Sequence, residues 1–97
     1  MTKYSNVVRF VVKEGKQERF IEIYNTRPSL EGLISRVLVK TGEKTFCSVG
    51  IWEDETSLIN NRDNMLLFLN SFRDLLEEIS PELGVTDAVS GVVVAEV

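Results

Sequence analysis

The chain has 97 residues, 43% hydrophobic and 27% charged, with 11 Lys and Arg against 15 Asp and Glu for a formal charge of −4. That acidic balance argues against nucleic acid and anionic membrane as partners, since both require a basic footprint, and no run approaches the roughly 18 apolar residues of a membrane span. Histidine is absent; this removes serine triads, Cys–His pairs, histidine-bearing zinc sites and histidine-held haem, and leaves carboxylates, tyrosine, arginine, asparagine, one thiol or a bound molecule's own reactivity to carry any chemistry.

The length predicts one domain over residues 1–97, small enough to be marginal alone and to gain from a partner subunit. Cys47 has no cysteine to pair with, and residues 1–6 lead into an alternating segment with no signal-type apolar stretch. Both point to the cytoplasm.

Residues 7–13 read as a strand, with Val8, Phe10 and Val12 on one face. Glu14-Gly15-Lys16 breaks it, and residues 17–26 carry Phe20, Ile23 and Tyr24 at helical spacing until Arg27-Pro28 closes the helix. Residues 33–40 and 45–52 are two further strands, joined by the short loop 41–44 and therefore paired antiparallel. Asp54 is an N-cap with Glu55 in the first turn. The polar, helix-poor stretch 60–64 predicts a kink or break. From Met65 the residues Phe68, Leu69, Phe72, Leu75, Leu76 and Ile79 predict one wide helical stripe, ended by Ser80-Pro81. Residues 88–97 form a final, valine-rich strand. The order βαββαβ is the ferredoxin-like split βαβ arrangement, an α+β fold with a four-stranded antiparallel sheet.

Two helices cover one face of such a sheet, and the other face reads polar if it meets water. Here both parities are apolar. The first strand offers Val7 and Val11, or Val8, Phe10 and Val12; the second offers Leu33, Val37 and Val39, or Ile34 and Leu38. The third and fourth strands add Cys47, Val49, Ile51, Val92 and Val94 opposite a second apolar set. A sheet with two apolar faces predicts a homodimer packed sheet to sheet.

Two stretches carry a family resemblance: Phe10-Val11-Val12-Lys13-Glu14-Gly15-Lys16 running into Glu18-Arg19-Phe20-Ile21-Glu22-Ile23-Tyr24, and Gly50-Ile51-Trp52-Glu53-Asp54-Glu55-Thr56-Ser57-Leu58. In order and spacing, over nearly the whole chain, the sequence resembles the antibiotic biosynthesis monooxygenase-like proteins of the dimeric α/β-barrel superfamily. The resemblance implies a dimeric α/β barrel with a pocket in each subunit between sheet and helices. It also implies, as in several members, oxidation of phenols, anthrones or quinols by oxygen without metal or flavin, so no cofactor is expected. Haem-degrading relatives use a histidine and an aromatic residue on the second helix and an asparagine on the first strand; Ser71, Asn61 and Val8 stand there, which argues against haem.

With an even hairpin loop, Lys40 lies opposite Thr45, and Leu33, Ser35, Val37 and Val39 share a face with Phe46, Ser48, Gly50 and Trp52. The small residues Ser35, Ser48 and Gly50 then leave space for a small aromatic ligand, unless Phe68 and Phe72 fill it; an odd loop flips the parity. Trp52 reads either as a pocket wall that stacks on a flat substrate or as a core anchor. Tyr24 reads as an acid or donor to a phenolic oxygen, or as packing. Asn6 reads as a replacement for the strand asparagine, or as a strand-entry residue. Arg9 and Arg36 interrupt apolar faces and suggest either an acidic substrate or subunit bridges through Glu96 or Glu22, the bridge being favoured. Cys47 reads as a buried hydrophobe, Glu53-Asp54-Glu55 as helix-start chemistry rather than metal ligands, and Asn60, Asn61 and Asn64 as pocket mouth or helix interruption. The functional expectation is a cofactor-independent monooxygenase; the alternatives are an isomerase or a non-catalytic small-molecule-binding or interaction protein on the same scaffold.

Overall fold

The computed structural model describes residues 2–96. β1 (Tyr4–Val11) is followed by α1 (Gln17–Tyr24), β2 (Leu33–Lys40), β3 (Thr45–Trp52), α2 (Glu55–Asn60), α3 (Arg62–Asn70), a 3-10 turn (Arg73–Leu75) and β4 (Asp87–Val92). The strands form one antiparallel sheet in the order β2-β3-β1-β4, the expected βαββαβ order with its second helix divided. The last strand is shorter than expected: it ends at Val92, residues 93–96 are not part of it, and Val97 lies outside the described residues. No described helix is long and apolar enough to cross a membrane.

The ends of α1 follow from its sequence. Its last turn closes as Thr26 Oγ1 donates to the Ile23 carbonyl at 2.6 Å and the Arg27 amide to that of Tyr24 at 3.2 Å, just before Pro28 forbids continuation. α2 begins at Asp54, whose Oδ1 accepts from the Ser57 amide and hydroxyl, both at 2.8 Å. Those bonds hold the carboxyl below its ordinary range, the backbone bond contributing most. The cap is therefore fully formed above the usual aspartate pKa and is lost as pH falls through the lowered one. Gly32, at φ +84°, packs so close to the Ser57 side chain that a Cβ there would collide with it, and its carbonyl accepts from the Glu53 amide at 2.8 Å.

The predicted break at 60–64 is real and is made by Asn61. Its buried amide donates to the Ser57 carbonyl at 2.9 Å and the Glu31 carbonyl at 3.0 Å, and its Oδ1 accepts from Asn64 at 3.2 Å. Asn61 thus ties the junction of α2 and α3 to the loop before β2, away from any pocket mouth.

Two expectations are corrected. The stripe after Met65 is not one helix to Ser80: α3 ends at Asn70, the Ser71 hydroxyl donates back to the Phe68 carbonyl at 2.6 Å, and Leu76 is extended and bridges Val12. The Lys13 amide donates to the Leu75 carbonyl and the Glu77 amide to the Val11 carbonyl, both at 2.8 Å. The end of β1 takes this segment as a short added strand, so the same apolar residues reach the core by a turn rather than by helical periodicity.

The second correction is the parity of β2. Lys40 pairs with Phe46, Leu38 with Ser48, Arg36 with Gly50 and Ser35 with Ile51. Five residues separate Lys40 from Phe46, because Thr45 closes the hairpin by accepting from the amides of Thr41 at 2.9 Å and Gly42 at 3.3 Å. A shift at Ile34 returns Leu33 to a position opposite Trp52. Arg36 and Leu38 therefore face the helices, while Ser35, Val37 and Val39 face away.

Phe20, fully buried, stands at the centre of the core. Its ring centroid lies 5.5, 5.1 and 5.2 Å from those of Phe10, Phe46 and Phe72, and 5.9 Å from that of Tyr24, all in tilted or edge-on geometry. Phe68 meets Phe72 at 5.3 Å, so all five phenylalanines of the sequence share one cluster. Because four rings lean on Phe20, Phe20→Ala is expected to lower unfolding stability by about 3–5 kcal/mol in urea titration; a loss under 1 kcal/mol would show that the cluster is not the keystone of the core.

Candidate functional site

Beside this cluster, between the sheet and the helices, a cavity of about 270 Å³ remains open, near the lower end of small-molecule sites at roughly 300–1,000 Å³. The sheet contributes Asn6, Val8 and Phe10 from β1, Arg36 from β2, Ser48 from β3 and Ala88 from β4. Tyr24 enters from α1, and Arg62, Met65, Leu66, Phe68 and Leu69 from α3, with Phe72 behind them and Thr86 ahead of β4. Arg62, Leu66 and Ala88 are exposed and mark its opening. Phe68 and Phe72 line the cavity and do not fill it.

Antiparallel register explains which residues meet. One row across the helix-facing side reads Arg36, Gly50, Asn6 and Ser90; the next reads Leu38, Ser48, Val8 and Ala88. Within the first row Gly50 is required. A Cβ there would stand 2.7 Å from Asn6 Oδ1 and 3.4 Å from Trp52 Nε1, in the path of the bond by which the buried indole donates to Asn6 Oδ1 at 2.8 Å. Since an indole only donates, it forces the Asn6 oxygen toward itself and leaves the Asn6 NH2 as the free polar group. In the second row, the Tyr24 and Ser48 hydroxyls are hydrogen-bonded to each other.

Of the sequence-selected residues, Asn6, Tyr24, Ser48, Phe68 and Phe72 are brought together in the lining. Trp52 and Gly50 stand behind Asn6 and are not part of the cavity surface. Ser35 belongs to the opposite face, a direct consequence of the odd hairpin spacing.

Arg36 takes the place expected for Ser35, and its expected role as a subunit bridge is corrected. It lies on the helix side with its buried Nε unpaired among the described residues. Its Nη2 meets only the Met65 sulfur at 3.5 Å, and its guanidinium carbon sits 6.0 Å from the Trp52 ring. Burial lowers its pKa from the ordinary arginine value, the Tyr24 hydroxyl partly opposes this, and the like charge of Arg27 adds to it. Arg27 itself spans the Tyr24 ring at 5.5 Å and donates to the Arg36 carbonyl at 3.1 Å. The partners proposed for bridging are engaged within the chain: Glu96 with Lys3 at 2.8 Å, Glu22 with Arg19 at 2.6 Å, and Arg9 with Asp87 at 2.9 Å.

The sheet order and the helices packed on one face define a ferredoxin-like α+β fold. Solved structures share it over almost the whole chain. A candidate antibiotic biosynthesis monooxygenase from Chloroflexus aurantiacus superposes with a TM-score of 0.76 at 14% identity, covering 97% of this chain and 95% of its own. A Streptomyces coelicolor monooxygenase in complex with nanaomycin D gives 0.74 at 15%, covering 99% and 91%. A dimeric ferredoxin-like protein from an uncultured marine organism gives 0.73 at 15%, covering 100% and 92%. No protein-family model matches the sequence, and no curated protein matches it.

The Asn6–Trp52 pair and the Gly50 gap form one device. Asn6→Ala leaves a buried indole N–H without an acceptor and is expected to cost about 1–3 kcal/mol by chemical denaturation, whereas Asn6→Asp, which keeps an acceptor, is expected to retain more of the stability. Equal losses in the two variants would remove the hydrogen bond from the account.

Proposed function

We propose that the chain is a cofactor-independent monooxygenase that holds a reduced aromatic or quinol-type molecule in the cavity between sheet and helices. The observation that carries the reading is the cavity itself: apolar on the α3 side, with the Tyr24–Ser48 and Asn6–Trp52 pairs set in the sheet and α1 side. Support also comes from a Streptomyces coelicolor monooxygenase of the same fold that holds a small molecule. The aromatic ring lies against Phe68 and Phe72. A ring hydroxyl meets the Tyr24 and Ser48 hydroxyls, and Asn6, oriented by Trp52, donates through its NH2. Donors at this position stabilise the substrate's phenolate, with Arg36 adding positive potential along the same wall. For a naphthol the phenolate gives electrons to oxygen, a C–O bond forms at the para carbon, and the O–O bond breaks with loss of water. One oxygen atom remains as the quinone oxygen and the other leaves as water, so no outside reductant is needed.

A second reading, a non-catalytic small-molecule-binding protein, is favoured by one fact: the lining contains no carboxylate, and the sequence no histidine, to take up a proton. The same fact counts against an isomerase, whose proton transfers depend on such a base. Oxygen uptake with metal-free protein and a panel of anthrones, naphthols and quinols separates the two. Uptake above the autoxidation blank, one labelled oxygen atom per quinone, and a decrease of about a hundredfold in Tyr24→Phe are expected. Binding without uptake leaves the second reading.

We also propose a homodimer through the sheet face turned away from the helices. Val7, Val11, Val37, Val39, Val49, Ile51 and Val89 lie on it, with Val37 and Val89 exposed to 53% and 63% in the single chain. The ion pair of Arg9 with Asp87 neutralises the charge on this face. An apolar face of this extent calls for cover, and a protein of the same fold is dimeric. Light scattering is expected to give twice the 11.0 kDa mass of the chain, and Val37→Glu to shift it toward a single mass; a wild-type mass of 11.0 kDa at micromolar concentration defeats the proposal.

A further inference from the structure

Arg36 is the polar group in the cavity wall that has no oxygen acceptor among the described residues. Its Nε is buried without a partner, and the contact of its Nη2 is a thioether, a weak acceptor. Arg36 is half-buried, and a guanidinium drawn out of water is costly unless it is paired; with 15 acidic residues in the chain, a carboxylate would be the ordinary partner. None faces it. Asn6 and Gly50 lie beside it in the sheet, Trp52 is packed under its guanidinium, and Tyr24, Met65 and Arg62 share the cavity from the helices. A second cation lies close by: the Arg27 guanidinium bonds the Arg36 backbone carbonyl. Asn6 has its oxygen taken by Trp52 and presents its NH2, another donor, while the Tyr24, Ser48 and Thr86 hydroxyls can donate or accept.

We propose that Arg36 is the anchor for a carboxylate carried by the aromatic ligand, so that the cavity selects an aromatic acid over its neutral counterpart. This rests on the reading of the cavity as a small-molecule site and names the class of molecule it takes. A planar carboxylate matches the fork of a guanidinium, and the charge-assisted pair supplies the charged partner that Arg36 lacks among the described residues. The apolar rings of Phe68 and Phe72 receive the rest of the ligand.

Calorimetric titration with 2-naphthoate and 2-naphthamide tests the proposal. The two have the same ring and similar shape and differ in charge. The wild-type chain is expected to bind the carboxylate at least about tenfold more tightly than the amide at low salt, as one charge-assisted pair implies. Arg36→Met is expected to bring that ratio close to one, and Arg36→Lys to keep part of it. Equal wild-type affinities overturn the proposal without any variant, and so does a ratio that survives in Arg36→Met. Neither probe has a hydroxyl to oxidise, so the result is independent of oxygen chemistry. Charge selection without oxygen uptake by any phenol retains the anion anchor and removes the monooxygenase; uptake without charge selection does the reverse.

Discussion

The pairing of Lys40 with Phe46 is the constraint from which the site follows. A strand has two faces and period two, so one residue of slip exchanges every side chain. In this register Arg36 and Leu38 look toward the helices, and Val37 and Val39 look out. In the alternative, Arg36 would stand among the valines of the outer face and Val37 would take its place over the cavity. The choice is made by the Thr45 carbonyl, which accepts two amides from the turn and thereby counts Thr45 into the loop on the β2 side. The shift at Ile34 then undoes the offset at the other end of β2, so that Leu33 still meets Trp52.

Given that register, the aromatic cluster sets how much of the space beside the sheet is filled. Phe10, Phe20, Phe46 and Phe72 meet at tilted or edge-on angles, and rings packed this way brace one another. α3 is held off the sheet by Phe68 and Phe72, and the small side of the second row, Ser48 and Ala88, lies beneath. A large residue in place of Ser48 would occupy the space that now forms the cavity floor, and one in place of Ala88 would narrow its opening. The early end of α3 contributes as well, because the chain after Asn70 turns in to pair with the end of β1 and closes that end of the core.

The sequence displayed its elements well because each is bounded by chemistry that acts locally. Glu14-Gly15-Lys16, Pro28, the Asp54 cap and the polar 60–64 stretch place the breaks close to where they occur, and the bounds of β2 and β3 coincide with the alternating runs. Parity was not legible, since both faces of β2 are apolar and the deciding bonds are between main-chain atoms of the turn. The end of α3 was hidden for a related reason. Phe68, Leu69, Phe72, Leu75 and Leu76 keep helical spacing, but Leu76 is recruited by Val12, a contact distant in sequence. Asn6, Tyr24 and Ser48 were picked out by the sequence and line the cavity, whereas Arg36 was assigned to the wrong face, and the role of Gly50 became visible only when Asn6 and Trp52 were seen to meet across it.

The polar wall has one further property, which follows from donor counting. Trp52 consumes the Asn6 oxygen, Tyr24 and Ser48 satisfy one another with one hydroxyl proton left over, and the arginines only donate. What faces the cavity therefore carries positive charge and donors, with the hydroxyls of Tyr24, Ser48 and Thr86 as its side-chain oxygen acceptors, in a chain whose overall charge is −4. Such a wall favours negative charge on whatever it binds. It does little to pull a proton away by force, for which a histidine or carboxylate would be the usual means, but it lowers the cost of an anion once formed. Anion binding and the proposed phenolate chemistry make the same electrostatic demand, and it falls on two side chains, Arg36 of β2 and Asn6 of β1, set either side of Gly50 on β3.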